Sequence, residues 1–166
     1  MDTRKFTCCF TGHRPQAFPW GYNEEDPRCV NLKHRLKGEI LCAIHDHDIH
    51  YFLSGMAQGV DTWAAEMVLE LQRDYSISLE CVLPCRDQAS HWPYESRRRY
   101  RSILQRCNQV TLLQSQYSQD CFQRRNQYMI DHSRLVIAVW NGTPSGTGNT
   151  VRYAKAMGKL VYTLTP

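Results

Sequence analysis

No apolar run in this 166-residue chain approaches the roughly 20 residues that a membrane-spanning helix needs, so a helical membrane span is excluded. The opening MDTRKFTCCFTG has neither an extended apolar segment nor a small-residue cleavage site, so it does not read as a secretory signal. A cytoplasmic protein with no membrane partner is expected. Low-complexity stretches, internal repeats and linkers are also missing, which predicts one domain over residues 1–166. No Gly-Lys-Ser/Thr follows a glycine loop, and no GxGxxG follows the first strand-like run, so neither standard phosphate-loop signature is present. Cys81 and Cys85 lie four apart, but no second pair has zinc-ribbon spacing, and the histidine cluster His45–His50 falls where a helix should end. No metal site is expected.

The composition that remains is ordinary for a globular protein, with 42% hydrophobic and 22% charged residues. The eight cysteines raise the question of a disulfide scaffold. Cys8, Cys9 and Cys81 sit inside strand-like runs of a strongly periodic chain, which favours free, buried thiols in a reducing compartment. The formal net charge is +4, and Arg97, Arg98, Arg99 and Arg101 are packed together ahead of Arg106, Arg124 and Arg125. Such a cluster attracts nucleic acid or another anion. A solvated helix face has the same composition, and that is the reading taken for Arg97–Arg101.

Short apolar runs alternate with helical periodicity along the chain. Strands are predicted at Phe6–Thr11, Tyr51–Leu53, Ile77–Leu83, Val110–Leu113, Leu135–Trp140 and Leu160–Leu164. Helices are predicted over Val30–His45, from Val60 to about Leu71, over Tyr94–Cys107 and Asp120–His132, and from Asn149 to Met157. The continuous apolar run at Leu135 fits a central parallel strand buried on both faces. This alternation predicts an α/β, Rossmann-like, doubly wound and mostly parallel sheet with helices on both faces.

Ligands of such sheets bind beyond the carboxyl ends of the strands. The strand-ending segments Gly12-His13-Arg14, Ser54 to Asp61 and Asn141 to Thr150 are rich in glycine, serine and threonine. The last follows a buried strand and opens a helix, where backbone N–H groups and the helix dipole hold phosphate. A plain turn uses the same residues. Two such loops at one edge favour a ligand. Asp61 in the first turn of its helix has an alternative role as an N-terminal carboxylate, with a depressed pKa.

The segment SGMAQGVDTWAAE resembles the strand-glycine-helix motif of the SLOG superfamily, which unites DprA/Smf proteins with the LOG phosphoribohydrolases. Arg125-Asn126-Gln127-Tyr128-Met129-Ile130 is similar to the Arg-Asn-x-x-Ile element of DprA, and LVIAVWNGTPSGTGNTVRYAKAMGKLVY to the ligand-loop half of the fold. With the opening FTGHRP, the chain most resembles the YpsA/DUF1273 branch over nearly its whole length. The resemblance implies recognition of a nucleotide-derived ligand, of AMP, ADP-ribose or dinucleotide type. By position it implies a pocket with Gly12, Ser54, Gly55, Gly59, Asp61, Arg125, Asn126 and Gly146, Thr147, Gly148, Asn149 and Thr150. His13, Arg14, Gly142 and Ser145 extend this set from the residues themselves.

LOG enzymes carry Pro-Gly-Gly-x-Gly-Thr-x-x-Glu with a catalytic glutamate, whereas the segment Pro144–Arg152 puts arginine at that position. A guanidinium cannot act as a general base. A sensor-like binding module is therefore expected. The alternatives are an N-glycosidic hydrolase using Asp61 or Glu66, and single-stranded nucleic-acid binding by the arginine-rich helix with Trp92, Tyr94 and Tyr100. Trp140 is either strand core or a base-stacking surface. The sequence leaves self-association into a homo-oligomer open.

Overall fold

Phe10 and Phe52 stack with ring centroids 5.8 Å apart on one face of a central sheet, and their neighbours Cys9 and Leu53 are buried on the other. That alternation follows from the two-residue period of a strand, and it forces helices onto both faces. The computed structural model describes residues 2–166. The strands are β1 (Thr7–Gly12), β2 (Tyr51–Ser54), β3 (Ser78–Leu83), β4 (Gln109–Leu112), β5 (Leu135–Val139) and β6 (Leu160–Leu164). The helices between them are α1 (Pro27–His47), α2 (Val60–Leu71), α3 (Tyr94–Arg106), α4 (Cys121–Asp131) and α5 (Gly146–Ala156). All strand pairs are parallel, in the order β4-β3-β2-β1-β5-β6.

From β1 the chain steps outward to β4, then returns through α4 to place β5 beside β1. Right-handed crossovers put helices made on the outward and return journeys on opposite faces. Accordingly Leu32, Leu36 and Ile40 of α1, Trp63 and Val68 of α2 and Ile103 of α3 share one core with Phe10, Phe52, Leu79 and Ile137. Met129 and Ile130 of α4 and Ala154 of α5 pack with Cys9, Leu53, Val82 and Val136 on the other. Each large apolar side chain so buried contributes about 1.5–3 kcal/mol.

The predicted strands and helices are present, with two boundaries moved by capping. Helix α1 starts at Pro27 rather than Val30, because the Asp26 carboxylate accepts a hydrogen bond from Arg28 N at 2.9 Å and proline suits the first helical turn. Helix α5 starts at Gly146 rather than Asn149, because Ser145 Oγ accepts from Gly148 N at 3.1 Å. Strand β5 is buried throughout but ends at Val139. Trp140 is half-buried beyond it, and its Nε1 donates to Thr143 O at 2.8 Å. It braces the following loop, so neither of its predicted roles describes its main contact.

All eight cysteines are free thiols, and Cys8, Cys9, Cys29, Cys81, Cys85 and Cys121 are buried. No described helix is long and apolar enough to cross a membrane.

Candidate functional site

Strands β1 and β5 are neighbours whose following connections leave toward opposite faces of the sheet, which opens a crevice at their carboxyl ends. Two close approaches shape its floor. A Cβ on Gly12 would lie 2.6 Å from Val60 Cβ, so the end of β1 meets the start of α2 with no room for a side chain. Gly59 caps α2 with φ +88°, a left-handed conformation that glycine adopts without strain. Across the crevice, His13 Nε2 lies 3.0 Å from Asn141 Oδ1 and 3.1 Å from Asn141 N, fastening the loop after β1 to the loop after β5.

Helix α5 points its amino end into this space. Ser145 satisfies Gly148 N, but the first-turn N–H groups of Gly146 and Thr147 have no partner among the described residues. From α4, the buried Arg125 donates through Nε to Asn126 Oδ1 at 2.8 Å and through Nη1 to Gly55 O. Its Nη2 makes no hydrogen bond with the described residues. Asn126 Nδ2 donates to Thr150 Oγ1 at 3.2 Å, which in turn donates to Gly146 O at 3.0 Å, so α4 is tied to the first turn of α5. Arg14 is exposed and forms no ion pair with a described residue. Its guanidinium lies 5.1 Å from the Phe122 ring centroid, and that of Arg125 lies 5.6 Å from the same ring.

These groups enclose two adjoining cavities of about 270 and 280 Å³, whose shared wall includes Arg14, Arg125, Asn126 and Gly146. Asp61 is the carboxylate in the wall of the first. Burial pushes its pKa up, against the pull of Arg125, the Ala57 N–H and Arg14. The depressed value expected from its place at a helix N-terminus is thus overturned by desolvation. Burial likewise draws Arg125 below the ordinary guanidinium value, opposed mainly by Asp61, and the group remains a cation near neutral pH.

Gly12, His13, Arg14, Asp61, Arg125, Asn126, Ser145, Gly146, Thr147, Asn149 and Thr150 all line one cavity or both. Ser54, Gly55, Gly59, Gly142 and Gly148 do not. Ser54 Oγ donates to Asp61 O at 2.9 Å and accepts from Met56 N, so it holds the loop rather than facing the crevice. Gly148 faces inward, since a Cβ there would lie 3.0 Å from Thr143 O and 3.1 Å from Trp140 Cζ2.

Glu66, the other catalytic candidate, does not line these cavities. Both its oxygens accept from Arg99 at 2.6 Å. The same contact corrects the arginine run as a wholly solvated face, because Arg99 is half-buried between Glu66 and Glu24. Tyr100 is buried as well, which removes it from any stacking surface. Phe122 is not among the candidate residues, and Asn141 is there only as the first residue of the segment to Thr150. The three-residue spacing of Phe122 and Arg125 on one helix is the sequence signal for the first. The pairing of Asn141 with His13 has no such signal, since the two are 128 residues apart. Among the described residues, no group of three or more His, Cys, Asp or Glu side chains could hold a metal ion.

A parallel sheet with a cation-lined crevice at its reversal point defines a Rossmann-like α/β fold. The chain belongs to the YspA SLOG family, whose model matches residues 8–160. It is 27% identical over 157 residues to the uncharacterized SPbeta prophage-derived protein YoqJ of Bacillus subtilis, covering 86% of this chain and 92% of that one. A UPF0398 protein of Bacillus cereus (strain B4264) is 29% identical over 155 residues, covering 90% and 83%. Among solved structures, DNA processing protein A (DprA) of Streptococcus pneumoniae superposes with TM-score 0.63 at 18% identity, over 98% of this chain and 51% of that one. The Helicobacter pylori counterpart gives 0.62 at 19%, over 96% and 65%. The chain therefore shares their fold and spans between half and two thirds of their length.

Proposed function

We propose that this protein binds a phosphate-bearing, nucleotide-derived small molecule in the crevice between β1 and β5. The observation that carries the reading is the convergence of the unpartnered Gly146 and Thr147 N–H groups with the Arg14 and Arg125 guanidiniums around one cavity. Backbone donors at a helix N-terminus and a fork-shaped cation are complementary to a phosphate group. Asp61, buried in the same wall, is placed to accept from a sugar hydroxyl rather than to meet the anion. The reading is of a binding module, because Asp61 has no second carboxylate beside it in the cavity wall. Arg152, at the position of the LOG glutamate, is exposed and bonded to Asn149 Oδ1.

Single-stranded nucleic acid is the second reading, favoured by the likeness in fold to the Helicobacter pylori protein, which has a single-stranded DNA binding mode. Titration of AMP, ADP-ribose, a dinucleotide and a short single-stranded oligonucleotide at two salt concentrations separates the two. A ligand with one or two phosphates binds with a shallow salt dependence, whereas an oligonucleotide held by many phosphates loses affinity steeply. Binding to the folded state raises thermal stability by mass action, about 2.7 kcal/mol at a hundred times Kd. Preference for the oligonucleotide with a steep slope would overturn the small-molecule reading. Release of base from a nucleotide, abolished by Asp61→Asn, would replace it with the hydrolase.

A further inference from the structure

A third cavity, of about 320 Å³, opens on the other side of Arg14 and shares Arg14 and Ala57 with the first and Arg14 and Phe122 with the second. Its wall is assembled from three separate strand-to-helix connections and from α4. Tyr22 comes from the connection after β1, Gln58 from that after β2, His91 and Trp92 from that after β3, and Phe122 from α4. Tyr22, Trp92 and Phe122 offer aromatic surface. Trp92 is fixed edge-on against the buried Tyr100, 5.3 Å between centroids. The Gln58 amide and the His91 imidazole make no hydrogen bonds with the described residues, so both polar ends are free. The wall thus combines aromatic surface with an uncommitted amide and an uncommitted imidazole, beside the arginine that serves the phosphate cavity.

We infer that this third cavity is a subsite for a planar heteroaromatic ring, so that the ligand is a nucleoside phosphate lying across Arg14, with its base here and its phosphate at the start of α5. The inference rests on the phosphate reading above and adds the base to it. A nucleobase has an apolar face for the aromatic side chains and an edge of donors and acceptors that an amide and an imidazole can both read. A bare sugar phosphate would leave this surface unused.

The test is calorimetric titration of AMP and of ribose 5-phosphate into the full chain, its Gln58→Ala/His91→Ala double variant and Tyr22→Ala. Gln58 is partly exposed and His91 and Tyr22 are exposed, and urea midpoints verify that the variants fold. AMP should bind the unmodified protein at least roughly tenfold more tightly than ribose 5-phosphate, the scale of one aromatic-stacked base. In the variants that ratio should fall toward one. If ribose 5-phosphate binds and AMP is no tighter, or the ratio survives both variants, the base subsite is refuted while the phosphate site stands. If ribose 5-phosphate and AMP both fail to bind, the phosphate reading falls and the base subsite with it.

Discussion

Gly55 makes the room that Arg125 occupies. A Cβ at residue 55 would sit 2.6 Å from the guanidinium carbon, and the Gly55 carbonyl accepts the hydrogen bond from Nη1. The glycine of the loop after β2 thus acts on the crevice through the arginine of α4, seventy residues later. Gly55→Ala should displace the guanidinium. The loss of one charge-assisted hydrogen bond, about 1.5–3 kcal/mol, corresponds to roughly a 10- to 100-fold drop in phosphate affinity. Overpacking should lower stability by about 1–3 kcal/mol. Calorimetry and urea unfolding of the same variant measure both.

Gly146 and Gly148 are two residues apart and should respond differently to valine. A Cβ at Gly146 has nothing within 4 Å and stands at the wall of both crevice cavities. Gly146→Val should keep stability within about 1 kcal/mol, since valine is no worse than glycine in a helix, yet obstruct ligand entry. Gly148→Val forces a side chain against Thr143 O and the Trp140 ring and should lower stability by about 1–3 kcal/mol. Thermal melts with and without AMP distinguish a blocked site from a damaged loop.

Asp61 gives the crevice a pH dependence of definite sign. Its folded pKa is raised by burial, so the folded protein holds a proton that the unfolded chain, at about 3.9, has released. Its contribution to stability is therefore fully present below that unfolded value and is lost as pH rises through the folded one. A bound anion favours the protonated carboxyl further. Sulfate, a dianion across this range, should bind more tightly as pH falls through the folded pKa. In Asp61→Asn the component of the slope due to Asp61 should vanish, and affinity above the folded pKa of Asp61 should rise by roughly fivefold, ~1 kcal/mol. An unchanged slope in the variant would count against this role.

Arg99 joins three elements of the α1–α3 face, with Nε and Nη2 on Glu66 at 2.6 Å and Nη2 on Glu24 at 3.0 Å. Burial alone would raise the Glu24 pKa, but Arg99 and Lys33 together hold it at about 2. These side chains are about one-third exposed, so solvent screening reduces the effect. Arg99→Ala should cost about 1–2 kcal/mol at neutral pH by leaving Glu66 without its partner and Glu24 with Lys33 alone. Glu24 stabilises the fold above its unfolded pKa and ceases to as pH falls toward about 2. The gap between wild type and variant in urea unfolding should therefore narrow over that window.

The strand-helix alternation was legible because the middle strands of the sheet are largely buried on both faces and the helices carry apolar residues at helical spacing. Thr147 and Thr150 were legible as crevice residues because their segment follows a buried strand at the carboxyl edge of the sheet, although a plain turn has the same composition. The start of α5 was not, because Gly146 and Gly148 are poor helix formers and only the Ser145 cap brings them into the first turn. Glu66 and Asp61 share one helix, and their different fates depend on what α3 and α4 bring against it. Arg99 engages the first and Arg125 lies beside the second. The sequence signal for Phe122 is only its three-residue spacing from Arg125 on one helix. Its place beneath two guanidiniums depends on Arg14 arriving from the opposite end of the chain.

A crystal structure of the protein with AMP tests the central claim most directly. The phosphate should lie within hydrogen-bond distance of the Gly146 and Thr147 N–H groups, with an Arg14 or Arg125 guanidinium on its other side. A nucleotide bound elsewhere, with those two N–H groups solvated and Arg125 Nη2 still unpartnered, would contradict it.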